Sequence, residues 1–76
     1  MLMIEELDSV VLTIDLPEHN LVAGDIGTVV LVHGKGEGYE VEFVTLDGQT
    51  IAVVSVFASQ VCPVGRGEIA HVRKVA

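Results

Sequence analysis

Three histidines and one cysteine are the side chains with the chemistry to hold a metal or act as a nucleophile in this 76-residue chain: His19, His33, His71 and Cys62. Structural metal sites of the zinc type draw ligands from close pairs such as C-x-x-C or H-x-x-x-H. These four positions contain no such pair, so no metal is expected. Cys62 precedes Pro63 with no base or helix start beside it to activate a thiolate, and reads as a small buried apolar residue. Ser55 and Ser59 have no histidine neighbour in the strand registers considered below. Glu40 and Glu42 lie on one strand face about 7 Å apart. Hydrolytic carboxylates instead face each other across a cleft, so this pair reads as solvating charge that also discourages edge pairing. Gly34-Lys35-Gly36-Glu37-Gly38 is glycine-rich but lacks the phosphate-loop spacing and runs into a strand where a phosphate needs a helix start. With no catalytic constellation, the chain is expected to be neither an enzyme nor a cofactor carrier.

Charge narrows the partners. Eleven Asp and Glu against four Lys and Arg give a formal net charge of −7, and aromatics make up 4 % of the chain. Binding a nucleic-acid backbone or an anionic lipid surface needs clustered cations, and reading single strands needs aromatic platforms. No nucleic acid and no membrane are therefore expected as partners. Asp8, Asp15, Glu18 and Asp25 gather in or near one segment, a surface that would steer a basic protein.

The elements that must position these residues are strands. Half the chain is apolar, with branched Val dominant, and glycines and prolines punctuate it at short intervals. Strands are expected over residues 9–14, 26–33, 39–43, 49–56 and 61–64, with one short helical turn at residues 57–60. Pro17 ends the first strand, residues 15–25 form an acidic loop, and Gly27 marks a bulge or a close backbone approach. Five strands with a long first loop and a helical turn before the last predict a small SH3-like barrel. A single domain covers residues 1–76, with a C-terminal tail from about residue 65. The start, Met1-Leu2-Met3-Ile4-Glu5-Glu6, is apolar and then acidic, the reverse of a secretory signal. The lone cysteine fits a reducing compartment, so a cytoplasmic location is expected.

Register sharpens the picture. A two-residue Asp47-Gly48 turn sets Val44 opposite Ile51, Glu42 opposite Val53 and Tyr39 opposite Val56. A four-residue loop over residues 35–38 sets His33 opposite Glu40, Leu31 opposite Glu42 and Val30 opposite Phe43. One face then holds Val30, Val32, Tyr39, Val41, Phe43, Ala52, Val54 and Val56 as the interior. The other holds Glu42 with Val29, Leu31, Val44, Ile51 and Val53, which is too apolar to face water uncovered. The cover is expected from residues 1–4, from Ile69, Val72 and Val75 of the tail, or from another chain, a second copy included. The candidate partner-binding residues are therefore Asp15, Glu18, Asp25, Val29, Leu31, Val44, Ile51 and Val53.

The strand start Gly24-Asp25-Ile26-Gly27-Thr28-Val29-Val30 resembles those of KOW-type modules, photosystem accessory barrels and nitrile hydratase β-type subunits. With Leu16-Pro17-Glu18-His19, Tyr39-Glu40-Val41-Glu42-Phe43 and Gly67-Glu68-Ile69-Ala70-His71, it resembles a family of short bacterial and cyanobacterial proteins classified as a domain of unknown function. That resemblance implies no catalytic residues. It implies small stand-alone proteins encoded beside another small protein, and so an antitoxin- or immunity-like partner role. The expected function is a non-catalytic protein-interaction module for a cognate basic protein. The alternatives are an accessory barrel subunit of a larger enzyme or redox complex, and a KOW-like nucleic-acid-binding module, which the missing basic loops oppose.

Overall fold

Branched residues crowd residues 26–33 and 50–57, and a branched Cβ favours extended backbone. In the computed structural model, which describes residues 3–75, both stretches are strands. Five strands form one antiparallel sheet: β1 (Ser9–Leu12), β2 (Ile26–His33), β3 (Gly38–Val44), β4 (Thr50–Phe57) and β5 (Val61–Pro63), in the order β4-β3-β2-β1-β5. A 3-10 turn at Ala58–Gln60 precedes β5, as expected, and another at Pro17–His19 sits in the acidic loop. The protein is all-β, but the sheet is open: no ladder among the described residues joins β4 to β5, where a closed barrel would have one.

Every strand contributes to one core. Val10 and Leu12 of β1, Val29 of β2, Val41 and Phe43 of β3, Val54 and Val56 of β4 and Val61 of β5 are buried together. The long loop adds Leu16 and Leu21. Their backbones exchange N–H···O bonds of 2.9 and 3.2 Å, which closes the loop into a small lobe with the 3-10 turn at its tip. Gly27 is packed so tightly that a Cβ there would lie 2.4 Å from Val41 Cγ1. Of the two roles expected for it, the close approach is the one it plays.

Two bulges decide which side chains point inward. In β2, Val29 pairs with Val41 and Leu31 with Glu40, leaving Val30 as the extra residue. The hairpin loop also sits one place earlier than expected, so that His33 pairs with Gly38 and not with Glu40. That two-residue slip keeps each side chain on its face, because the pleat repeats every two residues. The extra residue does not. It reverses the phase, turning Val29 into the core and Val30 out to solvent.

At the far end of β3 the Asp47-Gly48 turn is longer than expected. Gly48 N–H reaches Thr45 O at 2.9 Å and Thr45 N–H reaches Gln49 O at 2.8 Å, with Gly48 at φ 92°. This is a three-residue loop built on a turn followed by a left-handed glycine. Ile51 is the extra residue that compensates for it, because Phe43 pairs with Ala52 and Val44 with Thr50. Beyond that bulge the pairs expected for Glu42 with Val53 and Tyr39 with Val56 are present.

Candidate functional site

The acidic loop meets the C-terminal tail at a well-defined corner. The last rungs of the β1–β2 ladder, Leu12 N–H to Asp25 O at 2.9 Å and Gly24 N–H to Leu12 O at 2.8 Å, hold the Asp25 backbone in place. Its carboxylate accepts the Val22 N–H at 2.9 Å through Oδ2. Arg73 Nε donates to Oδ1 at 2.7 Å, and Nη2 donates both to Oδ2 and, at 2.9 Å, to the carbonyl of Asn20. Asn20 takes a left-handed φ of 59° at the end of the 3-10 turn. The Arg73 guanidinium, helped by the Val22 N–H and opposed by desolvation, holds the Asp25 carboxyl below its ordinary value.

Asp15 also works within the loop, accepting the Ala23 N–H at 2.9 Å. Glu18 stands exposed on the 3-10 turn. The corner opens into a depression of about 330 Å³ between the loop and the Arg73–Lys74 stretch. Arg73 was missed from the sequence because nothing in the tail's spacing relates it to a loop 48 positions earlier.

The second candidate surface is the outer face of β2, β3 and β4. Leu31 and Val53 remain 46 % and 54 % exposed, and Val44 is exposed as well. Glu42 of the central strand stands beside Val53 on this face, and Glu40 beside Leu31. Two expected members do not belong here. Val29 is 0 % exposed because of the β2 bulge, and Ile51, the extra residue of β4, is partly buried against the core. Two apolar residues were missing from the expectation: Val30, turned outward by the bulge, and Phe57, 71 % exposed and opposite Gly38, which has no side chain to cover it.

The termini do not supply the expected cover within the described residues. Ile69, Val72 and Val75 are exposed, Val75 the least of the three, Met3 is exposed, and Ile4 packs against the core. Met1 and Leu2, also offered as cover, lie outside the described residues.

Glu40 bonds both His33, the residue expected opposite it, and Ser55, for which no histidine neighbour was expected. Its Oε2 lies 2.6 Å from His33 Nε2 and also accepts the Ser55 hydroxyl. His33, in first place, and Ser55 pull the Glu40 carboxyl below its ordinary value. Serine, carboxylate and histidine thus touch, but in the wrong order for nucleophilic catalysis: the carboxylate sits between the other two, so no imidazole is placed to take the hydroxyl proton. Elsewhere the geometry offers little chemistry. Among the described residues no group of three or more His, Cys, Asp and Glu could hold a metal ion, and no helix is long and apolar enough to cross a membrane. Cys62, expected to be buried, is exposed on β5.

The fold and its two surfaces define an all-β domain of one open antiparallel sheet, with an acidic loop locked at one end. The chain belongs to the family described as a domain of unknown function, DUF4926, whose model matches residues 6–63. The tail motif at residues 67–71, counted above as part of the resemblance, falls outside the matched residues. No curated protein and no solved structure matches the chain.

Proposed function

We propose that this domain is a non-catalytic interaction module that binds a basic protein through the outer face of β2, β3 and β4. The observation that carries the reading is the composition of that face. Leu31, Val44, Val53 and Phe57 are exposed around the acidic Glu40 and Glu42, and the whole chain carries a net charge of −7. Interfaces combine an apolar centre with charges that select and steer the partner. Exposed apolar residues with carboxylates among them suit a partner that presents apolar side chains together with lysine or arginine.

Capture and neutralisation of a cognate basic protein, in the manner of an antitoxin or immunity protein, is the form of this function that the charge favours. A cytoplasmic setting accords with a single exposed thiol, Cys62. The test is affinity capture from the native host at several salt concentrations with the wild-type chain and with Leu31→Lys/Val53→Lys. A stoichiometric basic protein retained by the wild type, lost from the variant and weakened by salt is the expected result. Retention of a large catalytic or redox subunit instead would assign the domain an accessory role. Absence of any stoichiometric partner at every salt concentration would overturn the reading.

A further inference from the structure

The corner at Asp25 is an acceptor set with the shape of a guanidinium. Three oxygens converge there: both carboxylate oxygens of Asp25 and the carbonyl of Asn20, all taken by Arg73. Each is fixed independently of Arg73. The Asp25 backbone is the last rung of a ladder, its Oδ2 is held by the Val22 N–H, and the left-handed Asn20 closes the 3-10 turn. A planar fork of N–H donors satisfies such a set, whereas an ammonium group offers a single point of charge.

What fills the corner is loosely tethered. Among the described residues, the hydrogen bonds that tie residues 65–75 to the rest of the domain are those of Arg73. Ile69 and Val72, which could have packed the tail down ahead of Arg73, are exposed at 89 % and 81 %, while Val75 just beyond it is 37 % exposed. The family match ends at residue 63, so Asn20 and Asp25 lie inside the matched domain and Arg73 lies in the segment beyond it.

We infer that this corner is an arginine-binding site for the partner, and that Arg73 occupies it as an exchangeable stand-in from the chain's own tail. The inference rests on the reading of the partner as a basic protein, and it adds the group that is recognised. Replacing one guanidinium by another conserves every hydrogen bond and the ion pair, so the exchange costs only the tail's own attachment. The tail therefore acts as a competitor, with an effective concentration on the order of millimolar set by its tether. It weakens stray binding of single arginines and yields to a partner that also engages the outer face.

The experiment needs no partner protein. Amide spectra of the full-length wild type and of Arg73→Ala are titrated with N-acetyl-arginine-methylamide and, separately, with its lysine counterpart. The expected result is a saturable arginine-selective shift of the Val22, Ala23 and Asp25 amides in Arg73→Ala. The wild type should need several-fold more ligand, and Arg73→Ala/Asp25→Asn should lose the response. Arg73→Lys, which keeps the charge without the fork, should behave like Arg73→Ala. The inference is overturned if a folded Arg73→Ala shows no shift, responds equally to lysine, or responds no better than the wild type. Such a failure leaves the capture experiment of the preceding section untouched, and a failed capture leaves this titration standing.

Discussion

Asp25 links the tail to the loop through its ionised form, which gives that contact a pH dependence of known sign. Its carboxyl is held below the ordinary value of 3.8, chiefly by Arg73. A carboxyl whose folded-state pKa is depressed contributes stability that is complete above the ordinary value and is lost as pH falls through the lowered one. The tail should therefore stay docked at neutral and mildly acidic pH and detach only below about pH 3.8. The Arg73 side-chain resonances, followed by acid titration, are expected to move with one midpoint below that value. In Asp25→Asn the same transition should vanish. Gly27 makes a second argument at this scale. Its missing Cβ is what lets β2 lie against Val41 and Phe43, so Gly27→Ala should destabilise by about 1–3 kcal/mol through overpacking, measured by urea unfolding.

At the scale of the strand, one extra residue outweighs the alternation around it. The β2 bulge puts Val29 at 0 % exposure while its neighbour Val30 faces out. Val29→Ala should then cost about 2 kcal/mol, the burial of a valine side chain together with the cavity left behind. Val30→Ala should change stability by no more than about 0.5 kcal/mol. The opposite ranking in denaturant unfolding would mean that β2 runs without its bulge. The loop at the end of β3 makes a parallel case. Gly48 occupies a left-handed φ of 92° with open space around it, so Gly48→Ala should cost about 1 kcal/mol from backbone strain alone.

Across the whole molecule, a small core has to hold together under a one-sided charge. Domains near this length bury only about 60 % of their unfolded surface and are marginal for that reason. A net charge of −7 adds self-repulsion. Raising salt from low ionic strength is expected to raise the melting temperature as that repulsion is screened. The apolar residues left outside are another consequence at this scale. Because Val53 is 54 % exposed, Val53→Lys should leave the unfolding midpoint nearly unchanged while weakening association. Light scattering shows whether that association includes a second copy of the chain. Loss of folding in Val53→Lys would instead mean that the outer face is covered from within.

Strand count, strand order of appearance, the helical turn before β5 and the β3–β4 register beyond Ile51 were all legible in the residues, because they depend on local signals. Branched side chains, glycines at turns and a period of two act over a few positions, and their effects add up along each segment. The family was reached through a resemblance and not through those local signals, and the motifs at residues 16–19, 24–30 and 39–43 that carry it fall within the matched residues. The two bulges were not legible. The extra residue in β2 lies where the strand passes from pairing with both β1 and β3 to pairing with β3 alone, a condition that exists only once all three strands are assembled. The same holds for the Asp25 corner. A carboxylate and an arginine 48 positions apart carry no mutual signal in a linear chain, and only the folded path of the tail past the loop brings their charges within hydrogen-bonding distance.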